Sequence, residues 1–398
     1  MHVLLLNQYF PPDTSATAKE AAAVVEALAA RHKVTVIAGR PSYDPTERHP
    51  YYFFRRERRG NVTIMRVGST AFPRFQMRRR VTNYLSYLSL AIPLALAVRA
   101  DLIMSMTDPP IAGLAGAFVA RLRRRPFVYN IRDLYPDMAL GGRIVQPSSW
   151  VARWERMHRR ALRRAARVIV LGEDMRDRIV AKGVDPARIV IVRDGAKAAD
   201  TLPSASHPVA QQIRCGFPFV LLHAGNLGFY GAWETLVKAA HLLQNDGIGM
   251  IFVGEGAQRK HIEALVNGSQ VRFLPFRPAQ EVPYVLAAGD VHIVTVRRGL
   301  EGVVVPSKLY PILAAGKPVL VVAPQECDAA RIVRHEGCGL VADPDDPAAV
   351  AQAVRTLAED PARLEQMGRR AREISFRYDK VKQLEIFLNT IEEVGSRA

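Results

Sequence analysis

The chain has 398 residues, 49% of them apolar, which suits two or three domains with buried cores and excludes wholesale disorder. Three cysteines (Cys215, Cys327, Cys338) exclude a disulfide scaffold, and without any C-x-x-C spacing they make a structural zinc site unexpected; the odd count points to a reducing compartment. The net charge of +17 is lopsided: residues 1–200 hold 34 Lys and Arg against 17 Asp and Glu, whereas residues 201–398 hold 21 of each. The first half therefore suits a polyanionic partner: a membrane surface, a nucleic acid or an anionic lipid-linked substrate.

In chain order, Val3–Leu6 reads as a buried strand with no basic segment before it, so no signal peptide is expected. Ala16–Ala30 follows with apolar residues at helical spacing (Ala21, Val24, Val25, Leu28). Val34–Gly39, Thr63–Val67, Leu102–Ser105, Phe127–Ile131, Val168–Leu171 and Ile189–Val192 are further short apolar runs. Continuous apolar strands separated by helices predict a parallel sheet covered on both faces. Tyr84–Val98 is the most apolar stretch but has only 15 residues, short of the roughly 20 a bilayer span needs, and a buried helix is expected there.

Asp194–Pro208 is rich in Ala, Ser and Pro and lacks periodicity, so it reads as a linker. The pattern restarts at FVLLHAG (219–225) and continues through MIFVGEG, VRFLPF, VHIVTV, PVLVVAP and GLVADP. The expected fold is α/β, with two Rossmann-like doubly wound domains facing across a cleft. Their expected limits are 1–198 and 199–379, with a helix at 380–398 that packs back on the first domain. Ligands of such sheets bind at the carboxyl ends of the strands, so the loops there carry the candidate chemistry.

The first loop, NQYFPPDTSATAKE, offers Ser15 as a helix cap or an anion contact, and Tyr9 as a cleft wall. In NIRDLYPD (130–137) a strand end presents Arg132, Asp133 and Asp137. A carboxylate there would accept a proton from an attacking hydroxyl, or merely cap a helix. In HAGNLGFYGAW, Gly225 and Gly228 permit a tight turn close to a phosphate, with a helix beginning near Trp233. Arg259 and Lys260, after VGEG, read as solvated helix charges. RRGLEGVVVPSKLYPILAAGKPV (297–319) carries Arg297, Glu301 and Lys308. Lys308 near a helix start is an apt phosphate partner, and Glu301 an acceptor for sugar hydroxyls. Asp343–Asp346 resemble an acidic metal cluster, but turn formation and capping account for them.

Taken together, NQYFPPDTSATA, RDLYPD, AGNLG, VGEG and PSKLYPILAAGKPV follow the order found in family 4 of the retaining glycosyltransferases, of GT-B fold, and the chain resembles the bacterial branch that builds cell-surface polysaccharides. The resemblance implies a nucleotide sugar in the second domain, with Gly225, Asn226, Gly228 and Lys308 near its diphosphate and Ser307 and Ser15 among the donor contacts. It sets Phe276 and Arg277 against the base, and Glu301-Gly302 near the donor sugar. Arg297 would add charge beside Lys308. The acceptor would meet Tyr9, Arg132, Asp133 and Asp137, with Asp133 handling its proton. The position where many members carry a second glutamate is Pro311 here. No metal or other cofactor is expected.

The expected activity is transfer of a UDP-linked hexose or N-acetylhexosamine to a lipid-linked saccharide. The enzyme would be cytoplasmic, peripheral on the inner face of the membrane and docked through its basic half. Arg55–Arg59, Arg78–Arg80, Arg123–Arg125 and Arg159–Arg167, with aromatics at Tyr51–Phe54 and Phe72–Phe75, suit anionic headgroups. Competing readings are a GT-B sugar-nucleotide epimerase and a basic nucleic-acid-binding protein. No helix-turn-helix, RRM or zinc-finger pattern supports the latter, so no nucleic-acid partner is expected.

Overall fold

The computed structural model describes the chain except residues 43–48, 73–75, 198–202, 267, 269 and 398. It forms two units, Met1–Val192 with Leu384–Ala398, and Arg193–Gln383. The dividing line at 192/193 precedes the expected border at 198/199, which lies outside the described residues, as do parts of the linker and of the Phe72–Phe75 aromatic run.

The first unit is an eight-stranded sheet of β1 (His2–Leu6), β2 (Lys33–Gly39), β3 (Phe54–Arg59), β4 (Val62–Val67), β5 (Leu102–Ser105), β6 (Phe127–Asn130), β7 (Arg167–Val170) and β8 (Ile189–Ile191). Its helices are α1 (Ala16–Ala29), α2 (Met77–Ala97), α3 (Ala112–Arg123), α4 (Asp137–Gly141), α5 (Ser149–Arg164) and α6 (Glu173–Ala181). The strand order is β3-β4-β2-β1-β5-β6-β7-β8, and every pairing is parallel except β3 with β4. The expected apolar runs fall on strands. The Arg55–Arg59 run, read as basic surface, is exposed as the antiparallel edge strand β3, turned at Gly60 with φ +56°. Charge on an outermost strand discourages edge-to-edge pairing with another molecule.

Helix α1 shows the local logic. Ser15 Oγ accepts the Ala18 N–H at 3.0 Å, and Ala18, Ala21, Val24, Val25 and Leu28 turn one buried stripe to the sheet. Helix α2 buries Tyr84, Tyr87, Leu88, Ala91 and Ala95 and leaves its other side exposed. Tyr87 Oη donates to the Ile37 carbonyl at 2.8 Å, tying α2 to the end of β2.

The second unit is a six-stranded, all-parallel sheet of β9 (Phe219–Ala224), β10 (Ile248–Val253), β11 (Val271–Leu274), β12 (Val291–Thr295), β13 (Val319–Val322) and β14 (Gly339–Ala342). Its order is β11-β10-β9-β12-β13-β14. The helices are α7 (Pro208–Arg214), α8 (Trp233–Leu242), α9 (Arg259–Leu265), α10 (Val282–Ala288), α11 (Leu309–Ala314), α12 (Asp328–Glu336), α13 (Pro347–Glu359) and α14 (Pro361–Ser375). A last helix, α15 (Lys380–Ser396), leaves this unit. Its Phe387, Leu388, Ile391 and Val394 enter the core of the first sheet with Val3, Leu5, Val25 and Leu28. Among the described residues no helix is long and apolar enough to cross a membrane.

Both sheets change direction once. In the first, the chain builds outward from β1 to β2 and β4, then returns to the other side of β1 as β5. In the second, it builds from β9 to β11, then returns beside β9 as β12. At such a reversal the loops leaving the two central strands part to opposite faces, opening a crevice at their carboxyl ends. The candidate loops after β1, β9 and β12 are the loops at these two points.

Candidate active site

In the second unit, the turn after β9 is shaped by glycine. Gly225 has φ +136° and Gly254, after β10, has φ +150°, a region closed to most side chains. A Cβ on Gly254 would lie 2.0 Å from the Gly225 carbonyl oxygen, so the two turns are in backbone contact. The same Cβ would come within 3.3 Å of the Phe276 ring, which is 56% exposed. A Cβ on Gly225 would stand 3.3 Å from Lys308 Nζ. Glycine here leaves the lysine ammonium uncovered from that side.

Lys308 reaches this turn from the loop after β12, just ahead of α11. Its Nζ lies 2.9 Å from Nε2 of His223, the buried histidine of β9, and 5.9 Å from the centre of the Tyr230 ring. Among the described residues no carboxylate pairs with Lys308. Burial pulls its pKa down to about 7. Burial and the nearby Lys308 push His223 far below the ordinary histidine value, so its ring is neutral and Nε2 accepts from Lys308. His223 packs edge-on against Trp233 at 4.9 Å, which fixes the ring.

The other donor-side residues gather around these. Tyr230 Oη donates to the Asn226 carbonyl at 2.5 Å, and Trp233 Nε1 donates to the Gly228 carbonyl at 2.6 Å; both bonds hold the turn closed. The Arg297 N–H donates to the Tyr230 carbonyl at 2.7 Å, joining the β9 and β12 loops. Glu301 Oε2 accepts the Gly299 N–H at 2.7 Å, and Gly302 has φ +67°, so this loop is internally braced. Ser307 is exposed beside Lys308. Arg277 lies 3.6 Å from Glu281. Arg298 clasps Asp343 and Asp345 at 2.8 and 2.6 Å, while Asp346 caps α13 through the Ala349 N–H. Arg259 pairs with Glu255 and Glu263. Among the described residues no group of three His, Cys, Asp or Glu is placed to hold a metal ion.

In the first unit, the loops after β1, β5 and β6 meet. The Gln8 N–H donates to the Asp108 carbonyl at 2.7 Å, and the N–H groups of Arg132 and Asp133 both point at Thr107 Oγ1, at 3.3 and 3.4 Å. Asp133 is partly exposed next to Tyr135, whose hydroxyl pKa rises through burial and then through that carboxylate. Tyr9 is buried at the end of β1. Ser15 Oγ caps α1, the first of the two roles expected for it. One expectation needs correction. Asp137 is half of an internal bridge rather than an open acceptor contact: its Oδ2 lies 2.8 Å from the buried Lys182 Nζ, which Glu155 also holds at 2.9 Å. His158 beside this group is lowered to about 4 by burial and by Lys182.

Sequence reasoning missed His223, Tyr230 and Gly254. A histidine inside the apolar strand FVLLHA was the available signal for the first. Its partner is 85 residues away, so only the return of β12 beside β9 brings the pair together.

The fold and the switch-point crevice, with a cation over a glycine turn, define an α/β protein of the GT-B architecture. Residues 15–195 match the model of a glycosyl transferase 4-like domain, and residues 215–374 match that of glycosyl transferases group 1. The chain therefore belongs to the glycosyltransferases assembled from these two domains. It is 27% identical to WbjE of Pseudomonas aeruginosa, a protein named as a probable glycosyltransferase, over 72% of this chain and 75% of that one. It is 24% identical to WcaI of Escherichia coli K12, named for glycosyl transfer in colanic acid biosynthesis, over 89% and 91%. Its fold matches the structure of Anabaena HepE in complex with UDP-glucose with a TM-score of 0.71, at 18% identity over 99% and 100% of the two chains.

Proposed function

We propose that this protein transfers a sugar from a UDP-linked hexose or N-acetylhexosamine, with retention of anomeric configuration, to a lipid-linked saccharide in cell-surface polysaccharide synthesis. The enzyme would work at the inner face of the membrane. The observation that carries the donor half is Lys308: a half-buried, desolvated amine with no carboxylate partner among the described residues, set over a side-chain-free turn at the switch point of the second sheet. A nucleoside diphosphate supplies the missing negative charge. When the bond from the sugar C1 to the diphosphate oxygen breaks, the electron pair leaves with the diphosphate. A pre-placed ammonium stabilises charge most where it develops.

Tyr230 and Trp233 hold the glycine turn in shape, so its N–H groups need no rearrangement as that charge grows. Phe276, exposed beside Gly254, offers a flat surface for the base. Glu301 is the group assigned to the donor sugar hydroxyls. The acceptor hydroxyl loses its proton as its oxygen bonds to C1, and Asp133 is the base assigned to receive it. The reading is metal-independent, and the engagement of Asp343–Asp346 by Arg298 and by the α13 cap supports it. WcaI is named for colanic acid biosynthesis and HepE was solved with UDP-glucose, which favours the polysaccharide context and the uridine donor.

Calorimetry with UDP, GDP and ADP tests the donor. UDP is expected to bind and the other two to bind at least tenfold more weakly. A donor panel incubated with membrane extract, with and without EDTA, then reads the product by mass spectrometry. Failure of all three nucleotides to bind would overturn the proposal.

A further inference from the structure

The basic runs of the first unit do not share one surface. At the β3 edge, the guanidinium groups of Arg55 and Arg59, with Arg66 from the neighbouring β4, converge on the single carboxylate of Glu57 at 3.3–3.6 Å, which leaves Arg56 and Arg58 as the exposed cations of that strand outside the cluster. The other runs lie in a helical layer. Helix α3 packs between α2 and α5, and the right-handed connections leading to β5, β6 and β7 place all three on the same face of the sheet.

The outward stripe of this layer is unusual for a surface in water. Helix α3 buries alanines and glycines against its neighbours, yet its outer positions include Phe118 and Leu122, 48% and 54% exposed. The two helices packed against α3 also expose apolar side chains, Val81 and Leu85 on α2 and Trp150 and Met157 on α5. Between these lie exposed arginines, including Arg121, Arg153, Arg156 and Arg160, and among the described residues none of these four is paired with a carboxylate. Apolar side chains alternating with unpaired cations across three parallel-packed helices are what a monotopic surface needs. The apolar groups enter the boundary between headgroups and acyl chains, and the guanidiniums meet lipid phosphates. A nucleic acid would use the arginines but leave Leu85, Phe118 and Leu122 facing water.

We infer that the α2–α3–α5 face, and not the β3 edge, is the surface that lies on an anionic bilayer. The inference deepens the reading of a lipid-linked acceptor, and its test is separable from the donor test. The full chain is sedimented with vesicles of phosphatidylglycerol and phosphatidylcholine (1:1), and with phosphatidylcholine alone, at low and high salt. Binding to the anionic vesicles only, weakening with salt, is expected. Arg153→Glu with Arg160→Glu is expected to lose at least about tenfold in vesicle affinity, and Phe118→Ser with Leu122→Ser to lose binding as well. Arg56→Glu with Arg58→Glu, on β3, is expected to bind as the wild type does.

UDP binding by calorimetry is expected to be unchanged in all these variants, so loss of docking and failure of the donor reading register separately. Trp150 gives a readout that depends on no folded variant of the helical layer's charge. Brominated phosphatidylglycerol is expected to quench the wild-type fluorescence, and Trp150→Phe is expected to abolish most of that quenching. Equal vesicle affinity of the wild type and the helix-layer variants, no quenching by the brominated lipid, or salt-sensitive binding to a random DNA duplex without vesicle binding would each overturn the inference.

Discussion

Lys308 is placed where its charge is costly: the residue is half-buried, the hydrogen-bond partner of its ammonium is a neutral imidazole, and desolvation lowers its pKa to about 7. That cost explains both its stability signature and its ligand chemistry. The unfolded chain holds this proton up to about pH 10.4, whereas the folded chain holds it only up to about 7. Folding stability therefore rises with pH across that window and is constant, with respect to this group, below it. Lys308→Met is expected to remove that slope, to leave the melting temperature at pH 7 no lower, and to reduce turnover by about 10²–10³. Thermal unfolding at several pH values and single-turnover assays check this, and near-wild-type turnover would exclude Lys308 from the chemistry.

An arriving diphosphate favours the ammonium and raises its pKa, so binding above neutrality takes up a proton. UDP affinity is expected to fall as pH climbs above about 7, and to be insensitive to this group at lower pH. Calorimetry at pH 8 in two buffers of different ionisation heat measures the uptake directly. Equal apparent enthalpies in the two buffers would contradict the assignment.

At the scale of elements, the alternation of short apolar runs and amphipathic stretches made most strands and helices legible. The Leu102–Ser105 strand falls at its expected limits, and the expected stripe on α1 is the buried one. Strand β3 was not legible, because an edge strand facing water on both sides carries no apolar alternation to read. Helix α15 shows how much one element can contribute from a distance. Phe387 is 1% exposed, within a core otherwise built from the first 192 residues. Phe387→Ala is expected to destabilise the first unit by about 3–5 kcal/mol, seen as an early transition in urea unfolding while the second unit's transition stays in place. A loss under 1 kcal/mol would mean that α15 is only loosely seated.

Across the whole molecule, the repeated doubly wound pattern could be read from periodicity, and the candidate loops from their places after strands. What could not be read is which loops meet. The sheet reversals at β1/β5 and β9/β12 decide that, and they depend on strand order rather than on any local stretch. The same holds for charge. A net excess confined to the first half is visible in the residues themselves, but four arginine runs look equivalent until folding draws Arg55 and Arg59 of one toward Glu57 and spreads the others over a helical layer.

The route of α15 also bears on biosynthesis. A ribosome delivers the first unit's strands early, yet the hydrophobic plug formed by Phe387, Leu388, Ile391 and Val394 emerges only after the whole intervening second unit. The amino-terminal lobe must wait, incompletely sealed, while its neighbour has everything it needs to finish folding. A nonsense mutation just beyond residue 383 would therefore spare every proposed catalytic group and still deprive the cell of the enzyme.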